Sequence, residues 1–314
     1  MLTVSKTFLS EADKQDFVLQ CEAKFEAELD RVARAIREEA GLKVVTLSGP
    51  TCSGKTTTAA TLIRDWESYG TRVRLISIDD FFRDRTELYA EAKAEGRDQP
   101  DFETVRAIDF ELLQECVEKI NSGETVSLPL FDFTEGRRIG YDNFDSASYD
   151  VVLFEGIQAI YPEVTELFKH YHHKSIYISV ADDVTVNGVF FSSRKVRFLR
   201  RLVRDYLFRA AAPEYTFTLW RNVARNEDIN ILPFSDNADI KLNSFLPYEL
   251  FVIKPYALSL LRALPEGSQY AEEAAQIIAN LEKLDTIGSD YVSDESVFRE
   301  FIGPRNMANS HITI

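Results

Sequence analysis

One loop constrains this chain more than any other feature. An apolar run, Val44-Val45-Thr46-Leu47-Ser48, empties into Gly49-Pro50-Thr51-Cys52-Ser53-Gly54-Lys55-Thr56. The two glycines let the backbone turn tightly, so successive N–H groups and the start of the following helix converge on a di- or triphosphate. Gly49, Pro50, Thr51, Cys52, Ser53, Gly54, Lys55, Thr56 and Thr57 are therefore nucleotide-binding candidates. In such a loop the lysine reaches the β/γ oxygens and the threonine hydroxyl is offered to Mg²⁺. Residues 55–69 follow with Ala59, Leu62, Ile63 and Trp66 at helical spacing and Gly70 as a stop, which predicts a strand, a loop and a helix in succession.

At 314 residues, 45% of them apolar, the chain is long enough to bury an α/β core. Its net charge of −15 repels phosphate backbones and anionic headgroups, which argues against nucleic-acid and membrane partners. No apolar run approaches the roughly 18 residues of a spanning helix, and the expectation is a soluble, cytoplasmic protein. Cys21, Cys52 and Cys116 show no paired spacing, as expected in a reducing compartment.

Residues 11–40 read as an amphipathic helix that packs on the core or on a partner subunit. Residues 72–78 read as a strand ending in Ile78-Asp79-Asp80-Phe81-Phe82. Acids at that end of a parallel strand face the crevice where ligands sit in open α/β sheets. Residues 149–156 repeat the pattern, a buried strand that delivers Glu155 at its tip. Between these strands the charged stretch 83–101 reads as an excursion over the crevice, and 128–138 as a loop gathering aromatics, acids and Arg138. Further on, Arg197, Arg200, Arg201 and Arg204 fall at i, i+3, i+4 and i+7, so a helix places four guanidiniums on one face. Arginine forks suit phosphate oxygens, and the segment reads as a lid that closes on ATP, against a solvated basic face or a membrane-surface helix. His170, His172 and His173 read as an exposed polar turn rather than a metal site.

Several of these blocks, taken in order, resemble the uridine kinase and phosphoribulokinase family. They are residues 49–58, Ser77-Ile78-Asp79-Asp80-Phe81-Phe82, Pro129-Leu130-Phe131-Asp132-Phe133, Phe154-Glu155-Gly156-Ile157 and the arginine helix 197–205. The resemblance is closest to the kinase portion of longer bacterial uridine kinase-like proteins, which also share something like Asn243-Ser244-Phe245-Leu246-Pro247-Tyr248 and Phe298-Arg299-Glu300-Phe301-Ile302-Gly303. It implies a P-loop NTPase fold, a five-stranded parallel sheet with helices on both faces, and a helical lid at about 183–215 within a kinase domain spanning 41–264. Helical additions at 1–40 and 265–314 flank it, and a homo-oligomer is expected.

The implied reaction moves the γ-phosphoryl of ATP or GTP, with Mg²⁺, to the 5′-hydroxyl of a nucleoside such as uridine or cytidine. By that resemblance Asp79 is the base. Lys55, Arg201 and Arg204 share the catalysis, and Arg197 and Arg200 bind the nucleotide. Thr56, Glu155 and Asp79 serve the metal, while Asp80, Phe82, Glu103, Phe131 and Arg138 line the acceptor site. Two positions depart from the family: Phe131 stands where its pyrimidine kinases have Tyr, and Gly136 where they place a base-reading His. Base identity is what these departures put in question. The rival readings are a kinase of another small alcohol, such as a sugar, a sugar phosphate or a vitamin-like acceptor, and a nucleotide-binding regulator without catalysis.

Overall fold

The computed structural model describes residues 1–305. A short strand β1 (Leu2–Val4) precedes the long helix α1 (Glu11–Arg37), whose start is capped by the Ser10 hydroxyl accepting from the Asp13 N–H at 3.2 Å. Then come β2 (Val44–Ser48), α2 (Lys55–Ser68), β3 (Val73–Ser77), α3 (Arg85–Ala94) and α4 (Phe110–Ser122). An antiparallel hairpin, β4 (Thr125–Asp132) and β5 (Arg137–Asp145), leads to β6 (Val151–Glu155), α5 (Pro162–Phe168) and β7 (His173–Ser179). The chain continues through β8 (Val184–Val186), β9 (Val189–Phe191), α6 (Ser193–Arg209), α7 (Pro213–Asn226) and β10 (Ile240–Asn243). It ends in α8 (Glu249–Arg262), α9 (Ala271–Leu281) and the single turn α10 (Arg299–Ile302).

Five strands form one parallel sheet in the order β10-β7-β2-β6-β3. Every residue of β2 is buried, as expected for a strand with both faces covered. Alternate side chains go to opposite cores. Val45, Leu47 and Leu153 join α1, α2, α6 and α8 on one face, while Val44, Val152 and Phe154 join α4 and α5 on the other. The chain runs outward from β2 to the edge strand β3, then crosses to β7 on the far side. The crevice at the C-terminal end of β2 is thus the point where the strand order reverses, the place ligands occupy in such sheets.

Helix α1 lies on the core of its own chain. The Trp66 indole N–H donates to the Ala33 carbonyl at 3.1 Å in a fully buried contact. Three expectations need correction. Residues 128–138 lie in and around the turn of the β4–β5 hairpin, not in an open loop, because Val126 and Leu128 are buried with Ser127 exposed between them on a paired strand that continues to Asp132. β1, β8 and β9 form a second small sheet whose three-residue strands are too short to show a period. The region expected to be a lid contains α6, and nine residues of that helix are buried, among them Val196, Phe198, Leu199, Leu202 and Val203. Such a helix cannot swing away without opening the core. The called C-terminal addition 265–314 packs on the same core as far as it is described; residues 306–314 lie outside the described residues.

Candidate active site

The loop between β2 and α2 has the backbone its glycines foreshadow. Gly54 sits at φ 92°, and a Cβ on Gly49 would collide with the Ile178 carbonyl oxygen of β7. Cys52 also adopts a left-handed φ, 57°, which orients the loop amides inward at the cost of some strain. The Lys55 ammonium folds back onto the loop, donating to the carbonyls of Gly49 at 3.0 Å and Pro50 at 3.4 Å. Thr56, next along, is exposed. Ser53 is buried and its hydroxyl has no protein partner.

Three carboxylates lie within electrostatic reach of Lys55. Asp79 stands in the turn after β3, and burial pushes its carboxyl above the usual range, opposed by the Lys55 charge, a Gln158 hydrogen bond and Arg209. Glu155, at the tip of β6, is raised to about 6, by burial first; Lys55 opposes, and the negative charges of Asp79 and Glu300 add to it. Glu103 is raised for the same primary reason, with Arg201 as the main opposing charge. Its Oε2 accepts from the Asn226 amide at 3.3 Å, and its backbone carbonyl accepts from the Tyr161 hydroxyl at 2.6 Å. Asp80 is raised by burial while accepting a backbone hydrogen bond from Phe131.

Acid groups raised by desolvation around one ammonium are an arrangement a protein builds for proton transfer or cation binding rather than for stability. Oxygen donors of this kind suit a hard cation. Among the described residues no three His, Cys, Asp or Glu side chains converge as a closed cage. His172 pairs with Glu39 at 2.9 Å, away from this cluster, and is no ligand.

The arginines of α6 do share a face, but that face is packed rather than solvated. Arg197 makes a buried fork to Glu227, 2.8 Å at Nη2, and its Nη1 reaches the Thr51 carbonyl at 3.3 Å. Arg200, fully buried, donates to Glu249 at 2.6 Å, to Ser244 and to the Cys52 carbonyl at 3.1 Å. Both were expected to bind phosphate. Their donors instead hold the phosphate loop from behind by its carbonyls, because a guanidinium enclosed in protein must be matched by carboxylates. Arg201 and Arg204 lie a turn further on, paired with Asp205 at 3.1 and 2.7 Å. Arg209 shares the same carboxylate at 3.5 Å.

On the other side of Asp80 lie Phe82, Phe131 and Phe133, with ring centroids 5.1 to 6.4 Å apart. Arg138, an expected acceptor ligand, is instead tied to Asp109 at 2.8 Å and to the Tyr141 hydroxyl at 3.0 Å. Gly136 occupies the hairpin turn at φ 68°, where a Cβ would come within 2.7 Å of Arg85 Nε. A side chain there would be strained and would have to displace Arg85.

Residues that the sequence did not single out complete the site: Gln158 at Asp79, Tyr161 and Asn226 behind Glu103, Arg209, and Glu300. The signal for Gln158 was present in its nearness to Glu155-Gly156. Glu300 sits in the Phe298–Gly303 block noted above, which carries no role for it on its own, while Tyr161, Asn226 and Arg209 come from distant segments with no motif of their own.

With this geometry in place, the chain can be set beside known proteins. The model of the phosphoribulokinase / uridine kinase family matches residues 44–247. Uridine-cytidine kinase C of Dictyostelium discoideum is 29% identical over 139 residues, which cover 44% of this chain and only 28% of that protein's length. A uridine kinase of Shewanella frigidimarina (strain NCIMB 400) is 25% identical over 201 residues, covering 63% of this chain and 85% of that one. Among solved structures, one from Silicibacter sp. TM1040, described as a candidate fructose transport system kinase, superposes with TM-score 0.51 at 18% identity, covering 68% of this chain and 98% of that one. The likeness to that structure speaks for the fold alone. Because the family match begins at the first strand of the parallel sheet and ends past its last, with the phosphate loop and the three carboxylates inside it, the chain belongs to the phosphoribulokinase / uridine kinase family.

Proposed function

We propose that this protein transfers the γ-phosphoryl of ATP to the 5′-hydroxyl of a nucleoside, uridine or cytidine foremost. The observation that carries this reading is the placement of Asp79, Glu155 and Glu103 around Lys55 at the mouth of the phosphate loop, with an aromatic wall beside Asp80. The uridine kinases among its relatives support the acceptor class.

In this reading Lys55 leaves the Gly49 and Pro50 carbonyls for the β/γ-phosphates, and the loop amides hold the chain of phosphates in line with the acceptor. The Thr56 hydroxyl with the carboxylates of Glu155 and Asp79 would hold Mg²⁺, which supplies charge neutralisation on the transferring group. Asp79 takes the proton of the acceptor hydroxyl, and its raised pKa makes it a better base than an exposed aspartate. Glu103, fixed by Asn226, accepts hydrogen bonds from the ribose hydroxyls. Arg201 and Arg204 stabilise charge on the transferring phosphoryl.

The rings of Phe82, Phe131 and Phe133 can stack on any base but carry little hydrogen-bond information. An apolar pocket separates analogues only about 10–200-fold, against roughly 10⁴ where the site hydrogen-bonds the distinguishing group. Weak selection among bases, with a firm demand for the 2′-hydroxyl, is the expected pattern. Gly136, with no side chain to read a base, is also the observation that favours the second reading, a kinase of another small alcohol.

ADP release with ATP and Mg²⁺, measured over uridine, cytidine, a purine nucleoside, 2′-deoxyuridine and a panel of sugars, tests both. Turnover on a sugar and none on nucleosides would replace the first reading by the second; no acceptor-dependent ADP release would leave a nucleotide-binding regulator. Asp79→Asn should keep ATP binding and lose roughly 10²–10⁴ in rate, while Lys55→Ala and Thr56→Ala should abolish turnover.

A further inference from the structure

The phosphate loop already has an anion at its helix. Thr57 is the third residue of α2, so its N–H is one of the first-turn donors that no intrahelical carbonyl satisfies. The Glu300 carboxylate accepts from that N–H at 3.3 Å and from the Thr57 hydroxyl at 2.9 Å, although the two residues are 243 positions apart. Val297 lies against the loop as well, its Cγ2 standing 2.6 Å from where a Cβ on Gly54 would be. The segment that carries them is well anchored. Phe298 and Phe301 are fully buried, Phe301 lies under the Arg200 guanidinium at 4.7 Å, and Arg299 donates to the carbonyls of Ser289 at 2.8 Å and Gly303 at 3.0 Å.

We propose that the Glu300 side chain, carried by the buried segment 297–303, is an intramolecular latch on the nucleotide site, its carboxylate occupying the position of a nucleotide phosphate oxygen at the Thr57 amide. The inference rests on the phosphate-binding reading of the loop given above. A helix N-terminus with a neighbouring hydroxyl takes one anionic oxygen at that donor, so a phosphate and Glu300 exclude each other by occupancy and by charge. Nucleotide entry therefore turns the Glu300 side chain away while the buried segment stays in place, and whatever strengthens the Glu300–Thr57 contact weakens nucleotide binding by the same factor. The latch also guards a loop that would otherwise present unsatisfied donors to any passing anion.

The test uses the full chain and ADP without metal. Glu300→Gln, which keeps the shape and removes the charge, should bind ADP about tenfold more tightly than the wild type, a difference of about 1.4 kcal/mol. In the wild type, ADP should displace the Glu300 carboxylate, read as a shift of its side-chain carboxyl carbon resonance, a measurement that needs no variant. Equal or weaker binding by Glu300→Gln, or a Glu300 carboxyl resonance that ADP leaves unmoved, overturns the latch while leaving the kinase reading intact. Failure of both proteins to bind ADP overturns the phosphate-site reading and the latch together.

Discussion

In the first turns of α6, Arg200 meets the buried carboxylate of Glu249, while Arg197 meets that of Glu227, which Arg194 reaches too at 3.4 Å as it pairs with Asp228 at 2.5 Å. In its last turns, Arg201, Arg204 and Arg209 share the single carboxylate of Asp205. Three arginines against three acids leave no charge over, and Arg197 and Arg200 spend remaining donors on the carbonyls of Thr51 and Cys52. Three-to-one pairing leaves an excess of positive charge beside the phosphate loop, where Arg209 is felt by Asp79 and Arg201 by Glu103. The same residue type on one helix is thus scaffold at one end and electrostatics at the other, and the number of neighbouring acids decides which.

The largest test of that division is at the scaffold end. Arg200→Ala leaves Glu249 buried without a partner and should cost about 3–5 kcal/mol of stability in denaturant unfolding. Replacing both partners, Arg200→Met with Glu249→Leu, should recover most of the stability yet not the activity, because the Cys52 carbonyl stays unheld. If turnover returned along with stability, the arginine would only be filling space.

At the other end, Arg204→Ala should lower kcat by roughly 10²–10³, the effect of removing one preorganised donor, with the unfolding midpoint nearly unchanged. A comparable loss of stability would erase the contrast between the two ends.

The pH profile reads the acids this excess charge faces. Glu155 is raised to about 6, so lowering the pH through that value protonates it, and kcat/KM should fall toward tenfold per unit below it. Asp79 and Glu103 are raised too and should broaden the limb; Glu155→Gln should remove Glu155's share of it. Stability moves the opposite way: the folded protein holds the extra proton, so Glu155's contribution is lost as pH rises from the unfolded range through about 6. The smallest effect belongs to Arg209→Ala. Its exposed guanidinium is screened by water, and a two- to fivefold loss in kcat, about 0.4–1 kcal/mol, is expected.

The sequence exposed those parts of the site that are local in the chain. The β2 loop, the acids after β3 and Glu155 at the end of β6 each announce themselves within a dozen residues, because a buried parallel strand is an uninterrupted apolar run. The arginine helix was legible as a helix, and its common face was legible from the spacing. What that face meets was not, since Glu227 and Glu249 lie 30 and 49 residues from their partners and belong to no pattern. Arg138 was misplaced for a related reason. Its partner Asp109 comes from another element, the cap of α4, and the hairpin that aims it was hidden by Pro129 and Gly136, residues that break a strand signal.

The pairing of β1 with β8 carries a consequence in time. Leu2 to Val4 lie parallel to Val184 to Val186, and the Lys6 N–H closes the join on the Asn187 side chain at 2.8 Å, across 181 residues. A chain made at about 5–20 residues per second keeps that first strand waiting for roughly 10–40 s before its partner exists. Closing so long a loop is slow as well as late, and contacts of this span dominate slow folding. During that wait α1 has α2 against it through Trp66 and Ala33, but the part around Phe17 lacks its cover, because Phe251 of α8 is made later still. This fold therefore completes from its last third inward, and the exposed N-terminal helix is the stretch on which a chaperone would find its hold.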